Sequence, residues 1–307
     1  MAINRRIPPD HGLTFRMFLT GLFMVLLYGL VIGILIAVGV NFAVVLVFAA
    51  VVLFCQYWFS DKIAMFGMRG HVVTPEQEPE LHGIVDRLCA LADMKKPRVA
   101  VAEVDMPNAF ATGRSPKAAV VCATRGIMRR LDEPELEAVL AHELSHVAHR
   151  DVAVMTIASF LGMVAGLITR ITLWSGLFGG FGGRDNQSGQ NAALVELAVL
   201  AVSVVIYAIS FMLTMALSRY RELAADRSGA ILIGRPSLLA SALVKVSGEL
   251  SRIPTRDLRS AEHFNAFFFT PALAKGTSLS SLFSTHPPLQ KRLDQLARLE
   301  AQMDRPS

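Results

Sequence analysis

The sequence predicts an α-helical integral membrane protein, with four transmembrane helices and a cytoplasmic α+β domain. Apolar residues make up 53% of the 307 residues. Charged residues make up only 18%, against about 25% in an average soluble protein. The apolar residues are concentrated in long uncharged runs, and the mean hydropathy is +0.46. The remaining polar segments show helical and strand-like patterns, which indicates a folded domain outside the membrane.

The uncharged runs predict two transmembrane hairpins. Residues 17–60 carry no charge, and a single helix of that length would far exceed a hydrocarbon layer of about 30 Å. We therefore expect two spans there, with a turn at residues 39–41. Two later runs, 152–169 and 197–217, are each close to the roughly 20 residues that a span needs, and a glycine-rich loop joins them. One or two of these runs could instead be buried helices of a soluble domain.

Cationic residues predict the orientation of these spans. They precede the first span, follow the second and follow the fourth, as Arg5, Arg6, Arg16, Lys62, Arg69, Arg219 and Arg221. By the positive-inside rule, both termini and both polar segments face the cytoplasm. The net charge of +5 is therefore explained by membrane topology. No basic stretch interleaved with aromatic residues is present, which argues against nucleic-acid binding.

The polar domain is predicted to be assembled from two pieces of chain. The first piece comprises residues 61–151 and follows a cytoplasmic lead, 1–16, and the first hairpin, 17–60. The second piece comprises residues 218–307. The second hairpin, 152–217, separates the two pieces. The predicted elements are a helix at 76–94, a strand at 98–103, two strands within 108–126, a helix at 131–151 with Asp132 as N-cap, and helices at 219–233, 236–250 and 288–303.

The helix at 131–151 carries the motif H-E-x-x-H at His142, Glu143 and His146. Residues four apart share one helical face, so both imidazoles can bind one metal ion. Zinc suits two histidine nitrogens, and Glu143 can act as general base on a water molecule that the ion acidifies. The motif alone is not decisive, because it arises by chance in about one chain in a hundred of this size.

A catalytic zinc needs a third protein ligand and an open position. The pattern HExxHxxGxxH is excluded, since Val152 stands where its last histidine would be. His149 lies seven residues after His142, roughly 10 Å along a helix, and cannot share the ion without breaking the helix. Glu222 and Asp226, four apart in SRYRELAADRSGA, could supply a ligand and a carboxylate that orients a ligating histidine. An ordinary solvated helix face would show the same spacing.

Membrane geometry favours the interpretation of Glu222 as a metal ligand over its interpretation as part of a solvated helix face. Helical rise puts His146 about 9 Å outside the third span and Glu222 about 7–8 Å beyond the fourth. A hairpin returns the chain to the side from which it entered. The two candidate half-sites should therefore lie at nearly one height above the membrane surface.

The chain resembles the HtpX-type family of membrane-bound gluzincin metalloproteases, which is related to the CAAX-processing proteases. The resemblance covers nearly the whole chain through two hairpins and the motifs PNAFATG, AHELSHVAHRD, SRYRELAAD and STHPP. It implies a gluzincin-like catalytic domain that binds one Zn²⁺ per chain through His142, His146 and Glu222, with Glu143 as catalytic base. It also implies proteolysis of misfolded or damaged membrane proteins, as stress-response quality control at the bacterial inner membrane.

The remaining candidate site residues have more than one interpretation. The segment Asn108, Ala109, Phe110 and Ala111 is similar to a substrate-binding edge strand of thermolysin-like enzymes, or it is a plain buried strand. His286 could stabilise the oxyanion or cover the open zinc position, or it simply begins a helix. Arg219 could brace the site carboxylates.

Two alternatives compete with a zinc protease at the membrane surface. A protease with its motif inside the bilayer is disfavoured by the charges around the motif, including Glu133, Glu137 and Asp151. A membrane scaffold or chaperone-like protein with structural zinc would need a fourth protein ligand, such as His286 or His263. Glu143 argues against the scaffold, because a structural site has no use for a base there.

Overall fold

The chain folds, in a computed structural model, into a bundle of apolar helices and a mixed α/β domain. The structure describes residues 11–37, 42–113, 115, 117–178, 186–252 and 286–304. Much of the glycine-rich loop and His263 lie outside these residues. The described helices are α1 His11–Ala37, α2 Phe42–Trp58, α3 Ser60–Gly67, α4 Pro79–Leu91, α5 Arg125–Arg130, α6 Glu133–Ala148, α7 Asp151–Phe178, α8 Asn186–Ile233, α9 Pro236–Arg252 and α10 Leu289–Met303.

Three helices of the described chain are long and apolar enough to cross a membrane. They contain the stretches His11–Gly33, Asp151–Arg170 and Leu197–Ile233. The second predicted span corresponds to α2, which has 17 residues. Four spans and a cytoplasmic orientation therefore remain predictions.

Helices α7 and α8 pack closely along the second hairpin. Gly162 and Gly166 lie four residues apart on α7, and a Cβ at either would be 3.2 Å from the side chain of Ser210 or Tyr207 on α8. Small residues at this spacing let helix backbones approach each other. Thr214 of α8 also donates a hydrogen bond of 3.0 Å to the carbonyl of Ala158. The two helices thus form one packed unit that leads into the polar domain.

A four-stranded sheet forms the β part of the polar domain, in the order β1–β2–β4–β3. Strands β2 and β4 are parallel, and the two edge strands are antiparallel to their neighbours. The strands are β1 Gly70–Val72, β2 Arg98–Ala102, β3 Ala109–Thr112 and β4 Val120–Thr124. Strand β1 has only three residues and was not expected from the sequence. Strand β3 pairs with β4 on one edge, and none of the described strands pairs with its other edge.

Helix α6 begins as predicted and ends earlier than predicted. The Asp132 carboxylate accepts from Glu135 N at 3.0 Å, and the Glu135 carboxylate accepts from Asp132 N at 3.2 Å, a reciprocal capping box. The sequence predicted one helix through residue 151. Instead α6 ends at Ala148, Arg150 takes a left-handed φ of 57°, and α7 starts anew at Asp151. This break lets α7 leave in a new direction.

Helix α8 joins the fourth predicted span and the following polar helix into one helix of 48 residues. Its last part packs against α6 in the core of the polar domain. That core contains residues from both polar pieces of chain, including Leu88, Val139 and Leu144 from the first and Leu239 and Leu296 from the second. Burial of these side chains holds α6 and the end of α8 together.

Candidate metal centre

Three side chains from α6 and α8 converge on one point. His142 and His146 lie one turn apart on α6, and their Nε2 atoms are 3.2 Å apart. A Glu222 carboxylate oxygen of α8 lies 3.6 Å from His142 Nε2, and the other lies 3.4 Å from His146 Nε2. All three potential ligand atoms fall within 4.8 Å of one another. These are the three residues that the resemblance implies as zinc ligands, and together they could hold a metal ion.

The donor set fits a zinc ion. Ligands of a tetrahedral zinc with bonds of 2.0–2.1 Å are separated by about 3.3 Å, close to the distances found here. The Nδ1 atoms of both histidines lie beside carboxylates, so each Nε2 presents a lone pair toward the centre. Two lone pairs and a carboxylate would repel one another at this distance. A shared cation removes that repulsion.

His142 is held by a buried aspartate and arginine. Its Nδ1 lies 2.9 Å from Asp226 Oδ1, so Asp226 occupies a position from which it can orient this ring. Arg292 of α10 donates to both Asp226 oxygens, at 2.6 and 2.7 Å. Burial by itself lowers the pKa of His142, but the carboxylates of Asp226 and Glu222 outweigh burial and raise it. A carboxylate in this position fixes the ring orientation.

His146 is held by a second aspartate and arginine. Its Nδ1 lies 2.7 Å from Asp151 Oδ2, and the other Asp151 oxygen forms an ion pair with Arg221 of α8. Burial lowers the pKa of His146, and the nearby Glu222 carboxylate more than offsets this and raises it. No pattern in the sequence predicts this role for Asp151 or Arg221.

Glu143 connects the metal centre to the sheet. Its side chain is buried, and its Oε2 accepts a hydrogen bond of 2.9 Å from Ala111 N on β3. Burial raises the pKa of Glu143, and the charges of His142 and His146 partly offset this increase. A carboxyl group with a raised pKa is a stronger base than an exposed glutamate.

The predicted substrate-binding segment forms β3 and its entry. Ala109, Phe110 and Ala111 belong to the strand, and Asn108 directly precedes it, with its backbone bonded to Thr124 at 2.9 Å on the β4 side. The Ala111 N–H points the other way, toward Glu143. The edge of β3 that faces away from β4 therefore faces the metal centre.

Other predicted residues lie at various distances from the centre. His286 Nδ1 lies 2.9 Å from a Glu222 oxygen, so His286 contacts the ligand carboxylate. Arg219 is partly buried on α8 beside Tyr220, and its bracing role remains a prediction. His149 is the C-cap of α6, and its Nε2 lies 3.4 Å from Ser228 Oγ, consistent with a residue outside the ligand set.

Comparison with known proteins identifies the family. The protein-family model described as Peptidase family M48 matches residues 75–300 of the sequence. Protease HtpX homolog 1 of Streptomyces coelicolor is 56% identical over 301 residues, which cover 98% of this chain and 97% of that protein. The chain belongs to peptidase family M48. The Protease HtpX homolog of Moorella thermoacetica is 52% identical over 303 residues, covering 98% of this chain and 99% of that protein.

A solved structure shares the fold of this M48 peptidase. The crystal structure of S. mikatae Ste24p has a TM-score of 0.53 at 17% identity, covering 92% of this chain and 67% of that one. The family and the HtpX relatives confirm the resemblance predicted from the sequence. The protein is a membrane-bound metalloprotease, and the scaffold alternative is not favoured.

Sequence reasoning missed three residues of the metal centre. Arg292 lies six residues after His286 in a helix with no recognised motif, and Arg221 was interpreted only as a topology signal. Asp151 was assigned to the charged surroundings of the motif. Asp151 closes the predicted helix 131–151, five residues after His146, and this spacing gives no sign of a contact between the two.

Proposed function

We propose that this chain is a zinc-dependent endopeptidase that cleaves misfolded or damaged membrane proteins near the cytoplasmic surface of the cell membrane. The observation that carries the proposal is the convergence of His142, His146 and Glu222, with Glu143 beside them. Three protein ligands leave one position open, as in catalytic zinc sites. When bound, the ion supplies Lewis-acid activation of water and of the scissile carbonyl.

Glu143 serves as the general base. Its carboxylate takes a proton from the attacking water and passes it to the amine that leaves when the peptide bond breaks. The Ala111 N–H holds this carboxylate at 2.9 Å on the side facing β3. The hydrogen bond thereby places the base between the ligand helix and the strand that would bind the substrate.

An extended peptide can bind as an additional strand along β3. Apart from the Ala111 N–H, which donates to Glu143, the edge of β3 that faces away from β4 presents backbone N–H and C=O groups. Such groups pair with any sequence, so side-chain preference can be weak. An unfolded segment satisfies this requirement and a folded one does not. Substrates are therefore loosely folded proteins, which suits quality control and a stress response.

The position of the site favours substrates close to a bilayer. His146 contacts the first residue of α7, and Glu222 follows the apolar part of α8 after a few residues. Segments emerging from the membrane can reach β3 without full extraction. We place the polar domain and both termini in the cytoplasm, with four spans, following the cationic residues of the sequence.

The test compares full-length wild type with Glu143→Gln, both purified in detergent, stripped of metal and reloaded with zinc. Cleavage of a loosely folded protein is followed on gels. We expect the variant to lose about 10²- to 10⁴-fold in rate while binding zinc like the wild type. Glu137→Gln, on an outer face of the same helix, is the matched control and should cut normally. Cleavage that survives either metal removal or Glu143→Gln contradicts the proposal.

A further inference from the structure

We infer that Asp151 and Arg221 form a positioning pair that fixes the zinc ligand His146, and that zinc binding therefore depends on the packing of the two helices of the second hairpin. The inference deepens the proposed function and rests on the zinc centre described there. Neither residue touches the reacting atoms.

The two oxygens of Asp151 have separate partners. Oδ2 is 2.7 Å from His146 Nδ1, and Oδ1 pairs with the Arg221 guanidinium. An ionised carboxylate only accepts hydrogen bonds, so Nδ1 carries the proton and Nε2 is left with the lone pair that a metal needs. Asp151 therefore sets both the tautomer and the orientation of the ring.

Arg221 makes this arrangement possible. Both side chains are buried, each 8% exposed as residues, and a buried carboxylate without a counter-charge would be strongly unfavourable. Arg221 also donates to the carbonyl of His149 at 3.2 Å. This hydrogen bond fixes the backbone between α6 and α7, next to Asp151 at the start of α7.

The pair joins the membrane hairpin to the metal. Asp151 is the first residue of α7, and Arg221 follows the apolar part of α8. The corresponding support for His142 comes from Asp226, also on α8, and from Arg292 on α10. In the part of the chain that the structure describes, His146 is the ligand residue that contacts α7, through Asp151. A change in the distance between α7 and α8 must separate Asp151 from Arg221 and release His146.

The experiment measures the zinc dissociation constant of full-length protein in detergent, by competition with a chelator, and the visible spectrum of bound Co²⁺. In Asp151→Asn the amide oxygen faces Arg221, so the amide NH₂ faces His146 and favours the tautomer with a protonated Nε2. We expect zinc affinity to fall about 10- to 100-fold. A double variant, Asp151→Asn with Arg221→Gln, lacks the charge that orients the amide. It should bind zinc no more weakly than Asp151→Asn alone.

Two further variants keep the test decisive if Asp151→Asn fails to fold. Arg221→Lys retains the charge but not the geometry, and it should weaken zinc binding in the same direction. Gly162→Leu forces α7 away from Ser210 of α8 without touching the pair, and it should also weaken zinc binding. Asp105→Asn, in a surface ion pair with Arg129 and Arg130, is the matched control and should bind zinc like the wild type.

The outcomes separate this inference from the proposed function. Unchanged zinc affinity and an unchanged Co²⁺ spectrum in folded Asp151→Asn overturn the inference and leave the peptidase intact. If Asp151→Asn does not fold, unchanged affinity in Arg221→Lys and Gly162→Leu overturns it. A wild type that binds zinc but cuts without needing Glu143 contradicts the proposed function alone.

Discussion

Helices α6 and α8 contribute to the metal centre in different ways. Helix α6 supplies His142, Glu143 and His146 within five positions, so helical geometry alone brings them together. Helix α8 supplies Glu222 from the far end of a 48-residue helix, and packing must bring it there. The packing is close, because a Cβ at Gly229 of α8 would lie 2.8 Å from the backbone nitrogen of His142. Spacing within one helix therefore determines half of the site, and packing between α6 and α8 determines the other half.

The largest effect is expected from removing the α8 ligand. Glu222→Ala leaves two histidines, which cannot hold a catalytic zinc, so zinc affinity should fall by more than about 100-fold and proteolysis should reach background. Zinc content after gel filtration and the cleavage rate measure both effects. Glu80→Ala, an exposed glutamate on α4, should change neither. Full zinc retention in Glu222→Ala would show that α8 supplies no ligand.

Widening the contact between the two helices should have the next largest effect. Gly229→Ala places a methyl group against the backbone of α6, so the helices must separate. We expect the free energy of unfolding to fall by about 1–3 kcal/mol. We also expect zinc to bind about ten times more weakly. Gly83→Ala, where a Cβ meets nothing within 4 Å, is the control. Unaltered zinc binding in Gly229→Ala would mean that the α6–α8 distance does not determine the site.

Acidification should release zinc through the histidines of α6. Burial lowers the pKa of both His142 and His146 in the metal-free protein, but carboxylates of α8, with Glu143 of α6 beside His146, outweigh burial and raise it. Protons then compete with zinc already above the ordinary histidine pKa of about 6.5. The zinc dissociation constant, measured from about pH 8 to pH 5, should rise steadily as the pH falls. A constant value down to the ordinary histidine range would contradict the raised pKa values.

The beginning of α6 should affect stability and not catalysis. Buried Glu135 accepts from Ser241 Oγ at 2.7 Å and from Lys245 Nζ at 2.6 Å, and it completes the capping box with Asp132. Glu135→Gln should lower the free energy of unfolding by about 1–2 kcal/mol and leave the cleavage rate per folded molecule unchanged. Denaturation and active-site titration separate the two quantities. A loss of rate without a loss of stability would contradict this division of α6.

The sequence revealed the parts of the site that depend on spacing within one helix. The motif on α6 and the pair Glu222 and Asp226 follow the helical repeat, and the Asp132 cap follows from the residue type at the helix start. Asp151, Arg221 and Arg292 were missed because none of them lies three or four residues from another site residue in a recognised motif, whereas Glu222 and Asp226 are four apart on α8.

The fold was predictable to a similar extent. The long apolar runs and the strands β2 to β4 have patterns that indicate them. Strand β1 is too short to show alternation. The break between α6 and α7 occurs at Arg150, with no glycine or proline to signal a left-handed residue. The sequence therefore could not show that Asp151 begins a new helix beside His146.

The most direct test of the metal centre is an anomalous difference map at the zinc edge from crystals of the zinc-loaded, full-length protein. We predict one peak per chain, bonded at about 2.0–2.1 Å to His142 Nε2, His146 Nε2 and a Glu222 oxygen, with one position left open to solvent beside Glu143. A peak elsewhere, or His286 bound as a fourth protein ligand, would contradict a catalytic zinc site built from α6 and α8.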